Sequence, residues 1–277
     1  MSPWRRNTLE VELAPDQVNL LHHELTLRGL RTTLRTERLP AVAGNDDEAW
    51  RGAVQALQAA LPAHAGRPAH VRVILSNRLV RYALVPWSDA LSDAAEEAAF
   101  ARHCFKRVHG EAAAQWELRV SAGGDGAPML ASAVDARLLD ALREAFAGAG
   151  VRLDSIQPRL MAVCNDYRRR LQGRHAWLAL LEPGSLCLAL LQQDRWVRVR
   201  SLRIGPGWRV ELALLLAREA YLGDPAAAAR DVFVWVGGLV EVRLPETGRW
   251  QFHLLAAAPQ RGIAPADAAG ALAAMEG

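Results

Sequence analysis

WLALLEPGSLCLALLQQDRWVRVRSLR, residues 177–203, is the stretch that decides the fold. Trp177 to Leu181, Leu186 to Leu191 and Arg195 to Arg203 read as three consecutive strands, joined by Glu182-Pro183-Gly184 and Gln192-Gln193-Asp194. Short apolar or alternating runs cut by Pro, Gly and Asp are hairpin chemistry, and three strands on such brief connections make an antiparallel meander. Downstream, Gly205-Pro206-Gly207 leads into a helix with Val210, Leu214, Ala217 and Tyr221 aligned, and Val232 to Val236 is a buried-type strand running into Gly237-Gly238. The same order appears at the other end of the chain. Leu9 to Leu13 alternates as a half-buried strand, Ala14-Pro15-Asp16 turns, and Val18 to Leu21 and Thr32 to Leu39 follow as strands. Asn45-Asp46-Asp47 is placed to cap a helix with Trp50, Val54, Leu57 and Leu61 on one face, and His70 to Leu75 is strand again. Three strands, a helix and a strand therefore occur twice.

Between the two repeats lies a unit of another kind. Leu79 to Val85 is strand-like and closed by Pro86-Trp87; Asp93 and Glu96 have capping-box spacing before a helix faced by Phe100, Cys104 and Val108 and ended by Gly110. Gln115 to Ser121 and Met129 to Val134 read as strands flanking the turn Gly123-Gly124-Asp125-Gly126. A helix from Asp135 turns Leu138, Leu142 and Phe146 inward, Val151 to Ile156 is strand, and Pro158 opens a helix faced by Leu160, Val163, Cys164, Tyr167 and Leu171.

Composition narrows the class. The 277 residues are 51% hydrophobic and 23% charged, an ordinary globular balance that excludes disorder. No stretch approaches ~20 uninterrupted apolar residues, and the start is no signal core, so a soluble, cytoplasmic protein is expected. Cys104, Cys164 and Cys187 are odd in number and sit among apolar neighbours, which points to reduced core thiols rather than a disulfide or zinc framework. The net charge of +3 is small and spread along the chain, and no basic stripe with interleaved aromatics implies nucleic acid. Lys106 is the only lysine. His22-His23-Glu24 has adjacent residues on opposite strand faces and is no metal set; neither Gly184-Ser185 nor Ser76 lies in a nucleophile elbow, and no C-x-x-C pair is present.

The doubled layout resembles the actin-like ATPase (RNase H-like) α/β fold, in which two related lobes close on a nucleotide. Within it, Asn77 to Arg170 resembles the PilM/GspL/MshI group of type IV pilus and type II secretion platform proteins. The residues that carry the resemblance are Leu75 to Arg81 with Pro86-Trp87, the helix end Phe105 to Gly110, Gln115-Trp116 to Ser121, Ala131 to Asp135, and Ile156-Gln157-Pro158. On this resemblance residues 1–173 form lobe I, with an inserted subdomain at about 77–150, and 174–277 form a reduced lobe II. The implied role is a non-catalytic scaffold, cytoplasmic and peripheral to the inner membrane, that docks a bitopic inner-membrane pilus or secretion protein. An assembly ATPase and a second copy of the chain are further partners the resemblance allows.

In active members of the fold, the first hairpin supplies an acidic residue for magnesium, a glycine against phosphate and a Lys or Gln. These places fall on or near Glu12, Ala14 and Asn19; Ala14-Pro15 removes the donor geometry, since proline has no N–H. The second phosphate hairpin reads Leu180 to Ser185, with Leu180 where an Asp is usual, or with Glu182, Gly184 and Ser185 standing in if the register slips. Gly237 and Gly238 match the paired glycines of the adenosine side, and are equally readable as turn formers. Lys106, in the inserted unit, is too distant in the chain to replace the phosphate lysine. The expectation is a pseudo-ATPase with a vestigial cleft at Glu12, Asn19, Glu182, Gly184, Ser185, Gly237 and Gly238, no catalytic residue, no metal and no cofactor, ATP and magnesium binding only if that cleft still functions. The alternative is an active actin-like ATPase or kinase-type nucleotide-binding protein.

Partner contacts are expected elsewhere. Nine tryptophans dominate the aromatic content; Trp50, Trp177 and Trp235 sit on core faces, whereas Trp87, Trp116 and Trp208 lie at element ends, where exposed rings mark binding patches. Arg195, Arg198 and Arg200 bracket a strand whose other face carries Val197 and Val199. They read as the charged solvent face of an edge strand or as a surface for anionic headgroups or an acidic tail.

Overall fold

The computed structural model describes residues 6–25, 31–42, 44, 48–65, 70–91, 93–121, 126–222, 229–237, 242–246 and 248–255. The anticipated cap at 45–47, most of the turn at 123–126 and Gly238 lie outside the described residues.

Strand β1 (Arg6–Ala14) turns through Pro15-Asp16 into antiparallel β2 (Gln17–Leu25), which pairs with β3 (Arg31–Pro40). Helix α1 (Arg51–Ala60) then carries the chain back to β4 (His70–Leu75), parallel to β1, and β8 (Ser155–Pro158) adds parallel to β4, giving the order β3-β2-β1-β4-β8. The second repeat builds the same sheet. β9 (His175–Glu182), β10 (Ser185–Gln192) and β11 (Arg195–Arg203) form the meander, β12 (Asp231–Val236) lies parallel to β9, and β13 (Gln251–Leu254) parallel to β12, in the order β11-β10-β9-β12-β13. Two five-stranded sheets of one topology are what a doubled pattern of meander, crossover helix and strand must form, because parallel strands need a helix-length crossover of fixed hand. Lobe II thus carries a full sheet.

Between them β5 (Arg81–Val85), β7 (Met129–Asp135) and β6 (Trp116–Val120) make a small antiparallel sheet covered by α2 (Ala94–His109). Asp93 caps α2 by accepting the N–H groups of Ala95 and Glu96 at 2.8 and 2.9 Å, and Gly110 ends it at φ 65°. The buried face of α2 is Ala101 and Phe105, while Val108 is 76% exposed. A line of i, i+4, i+8 drifts about 80° around a 3.6-residue helix, so the third member leaves a narrow contact. The separate unit closes over 81–135. Helix α3 (Ala136–Gly148), capped by Asp135, returns Leu138, Leu142 and Phe146 to the lobe I core beside Val54 and Leu57 of α1.

Helices α4 (Arg159–Asp166) and α5 (Arg168–Leu171) pass from β8 to β9. Leu160 and Val163 of α4 pack on Leu178, Leu180, Cys187 and Trp235, while Trp177, Ala179 and Leu181 face α6 (Trp208–Tyr221) on the other side. Burial on both faces is why Trp177 to Leu181 is a continuous apolar run rather than an alternation. The apolar line that marks α6 in sequence is not its core face. Trp208, Leu212, Leu216 and Ala220 are buried, and Val210, Leu214 and Tyr221 are 69%, 66% and 86% exposed. The helix offered two apolar stripes, and the one holding the larger ring took the core. No helix among the described residues is long and apolar enough to cross a membrane. All three cysteines are free.

Candidate functional site

The C-terminal ends of β1 and β4 face those of β9 and β12, the place where open α/β sheets put ligands. Equivalence within the two hairpins follows from the pairing: Glu12 opposes Asn19 as Leu180 opposes Cys187, and Ala14 opposes Gln17 as Glu182 opposes Ser185. Leu180 therefore occupies the second acidic place, fully buried in the core. Glu182, one step from the turn, reaches the cleft by standing where lobe I has Ala14.

What fills the cleft is a set of ionic contacts. Pro158 opens α4 and sets Arg159 in its first turn, pointed between the lobes. Arg159 is 6% exposed, donates from Nη1 to Oε1 of Glu12 at 2.8 Å, and lies 4.7 Å from the centre of the Trp235 ring. Asn19 holds the other Glu12 oxygen at 3.0 Å. Glu182 accepts the backbone N–H of Asn77 at 2.8 Å, a direct lobe-to-lobe bond, and Tyr82 donates to Oδ1 of Asn77 at 2.7 Å. Burial opposes the charge on Arg159, but Glu12, Glu182 and Glu10 outweigh it and hold its pKa above the ordinary value. Burial pushes the Glu182 carboxyl up, against the pull of Arg159 and the Asn77 N–H. Burial likewise drives the Tyr82 phenol well above its usual range. Arg78 closes the mouth with a 2.8 Å bond to Asp16.

The space left is about 40 Å³, lined by Glu12, Asn19, Arg159, Glu182, Trp235 and Gly237 among others. That is room for about one water and far below the ~300 Å³ of the smallest usual ligand pockets. Asn19 Oδ1 and Arg159 Nε, buried atoms without a protein partner, are suited to such a water. A nucleoside phosphate does not fit this donor set: Glu12 already holds the guanidinium, and Glu182 adds a second negative charge to the cleft.

Of the anticipated cleft residues, Glu12, Asn19, Glu182 and Gly237 come together. Gly184, at φ 71° with open space where a Cβ would be, is a hairpin turn former, and Ser185 begins β10; neither lines the cleft. A Cβ on Gly237 would meet the Trp235 ring at 3.1 Å, so this glycine makes room for the chain's own tryptophan. Arg159 was not singled out by its sequence context. Its signal was a cation in the first turn of a helix, against the dipole, directly after Pro158.

The candidate partner residues are dispersed. Trp87 is 47% exposed. Trp116 stands edge-on to Phe105 and His109 at 6.2 and 5.0 Å, packed over α2, and Trp208 is buried. Arg198 bonds the buried Glu219 of α6 at 2.6 Å, and Arg200 approaches it at 3.6 Å. These two thus tie β11 to α6, while Arg195 is exposed at the strand start. Among the described residues no cluster suits a metal ion.

A second, open space of about 610 Å³ runs between β6 and β7 on one side and α3 and β8 on the other. Leu130, Val134, Leu139 and Phe146 give it an apolar floor, and Glu117, Arg119 and Arg143 line it as charges, with Glu117 bonded to both arginines at 2.9 and 3.1 Å.

No protein-family model matches the sequence, and no curated protein does. Solved structures match across most of the chain. The cytoplasmic domain of EpsL, an inner membrane component of the type II secretion system of Vibrio cholerae, superposes with a TM-score of 0.60 over 91% of each chain at 13% identity. A chain of a PilM–PilN type IV pilus biogenesis complex gives 0.61 over 83% of this chain and 81% of its own, at 17% identity. A Bacteroides thetaiotaomicron protein with the actin-like ATPase fold gives 0.54, at 9% identity. With the duplicated sheet order and the cleft between, these superpositions identify the architecture: the chain has the actin-like ATPase fold.

Proposed function

We propose that this protein is a non-catalytic, actin-like scaffold of a type IV pilus or type II secretion assembly platform. It binds no nucleotide, works at the cytoplasmic face of the inner membrane, and receives the cytoplasmic peptide of a bitopic membrane partner in the groove beside β6. The observation that carries this is the contrast between two spaces: about 40 Å³ closed by Arg159, Glu12 and Glu182 where a nucleotide would sit, and about 610 Å³ open where β6, the edge of the small sheet, meets α3. An extended peptide suits a groove with an apolar floor, charged walls and a strand edge. The likeness to a PilM–PilN complex and to an EpsL cytoplasmic domain supports the choice of system.

Affinity capture from the native inner-membrane fraction tests the docking half. A bitopic pilus or secretion protein should be retained by the wild type and lost on Ala147→Trp, which fills the groove from an exposed helix position. Isothermal titration with Mg-ATP tests the other half: low-micromolar binding abolished by Glu12→Ala would overturn the non-nucleotide assignment and favour an ATPase.

A further inference from the structure

The outer stripe of α6 has no role in either space. A surface helix ordinarily has one apolar face, yet this one buries Trp208, Leu212 and Leu216 and also presents Val210, Leu214 and Tyr221 outward at 69%, 66% and 86% exposure. With Ala217, the outward residues are spaced 4, 3 and 4, the seam of a helix pair. Beside the N-terminal half of the stripe lies a shallow groove of about 740 Å³ between Val210, Ala213 and Leu214 and the segment Arg243 to Glu246.

We propose that this face pairs with the same face of a second copy of the chain, the two α6 helices running antiparallel about a two-fold axis. The spacing 4-3-4 reads the same in both directions, so the same four residues can meet across a two-fold axis as an isologous contact does. Reversing the helix on itself sets Leu214 against Ala217 of the second copy, large on small, and Val210 against its Tyr221. The ends of the helix are complementary in shape: an exposed phenol ring stands at one end, and an open groove walled by Leu244 and Pro245 lies at the other, ~16 Å away along the axis. The two-fold brings each ring to the other copy's groove, an aromatic anchor in a pocket. Charge agrees: the same reversal brings Arg218 of the second copy within a turn of Glu211, whose Oε2 also accepts the Gly205 N–H at 3.2 Å. One helix face buries roughly half of the ~800 Å² per partner found in standard stable interfaces. The dimer is therefore weak in free solution and, on the function proposed above, strengthened where copies are concentrated on a membrane platform.

Sedimentation of the full chain over a concentration series is the test. The wild type should pass from monomer to dimer with a dissociation constant on the order of 100 µM. Leu214→Glu and Tyr221→Ala should each raise it at least tenfold while leaving Tm, measured on dilute monomer, unchanged. Arg218→Glu should weaken pairing, since it sets a second carboxylate beside Glu211 of the other copy. A wild type that stays monomeric throughout, including one that uses this face for another protein, overturns the proposal. So does a dimer untouched by Leu214→Glu, and so does a monomer in which Leu214→Glu lowers Tm, since then the chain's own residues cover the stripe.

Discussion

Arg159→Ala removes the buried cation that bonds Glu12 and offsets the charge of Glu182 inside the interlobe cleft. In the wild type the guanidinium sits 2.8 Å from Glu12, over Trp235, with Glu182 close enough to raise its pKa, and both Arg159 and Glu182 are under 10% exposed, at 6% and 7%. Deleting one partner of a buried ionic set leaves charge without compensation, which costs about 3–5 kcal/mol. Against a typical total of about 5–15 kcal/mol, that is about a fifth of the stability or more. With a urea slope near 2 kcal/mol/M, the midpoint should fall by about 1.5–2.5 M. The loss should depend on pH with a definite sign. Glu182 already has a raised folded-state pKa, and without Arg159 it rises further. Above the unfolded carboxyl value the native state then binds a proton the unfolded chain does not, so stability falls as pH rises, by up to ~1.4 kcal/mol per pH unit. Urea unfolding of Arg159→Ala at several pH values between 5 and 8 should show the deficit growing with pH, and Arg159→Ala with Glu182→Gln should flatten it. A deficit below about 1 kcal/mol that does not change with pH would refute the description of the cleft as a closed ionic plug.

Other perturbations separate the remaining contacts. Asp135 caps α3 through the Arg137 N–H at 2.9 Å; burial works to raise its pKa, but the bonds from Arg137 and Trp50 outweigh it and hold the carboxyl below its usual value. Its contribution is therefore present above the unfolded pKa and lost as pH falls through the folded one, so Asp135→Ala should cost about 1–2 kcal/mol at neutral pH and progressively less in acid urea titrations. Gly237→Ala must push the Trp235 ring, which a Cβ would approach at 3.1 Å, and should cost about 1–3 kcal/mol by thermal melt, a figure that an unshifted Tm would contradict. Burial pushes the Cys164 thiol up to about 12, and burial with nearby Glu182 pushes Cys187 higher still. In a thiol-labelling experiment at pH 8 both should stay unmodified in the folded protein, with Cys104 reacting first; rapid labelling of Cys187 would show that the interlobe core opens.

Much of the fold is legible in the residues because its signals are local. Pro15-Asp16 and Pro183-Gly184 mark the two equivalent hairpin turns, Asp93 and Asp135 mark helix starts, and all four do in the structure what short-range chemistry requires. The candidate site is half legible. Glu12 and Glu182 are marked by their place at hairpin ends, but the group between them is not, because Arg159 acts on Glu12 across 147 positions and no local pattern announces such a pair. The same holds for Arg198: a charged residue on an edge strand looks solvent-facing until α6 lays Glu219 over it at 2.6 Å.

The sequence by itself determined the doubled order of meander, helix and strand, the small unit between, and the hairpin ends that carry Glu12 and Glu182, since each rests on turn chemistry, periodicity or the identity of single residues. Only the tertiary structure decided which of the two apolar stripes of α6 faces the core, that Arg159 fills the cleft beside Glu12, and that an open space of about 610 Å³ lies beside β6. Those depend on which surfaces meet when the sheets, the small unit and the helices pack, and burial and charge pairing between distant segments are fixed by that packing alone.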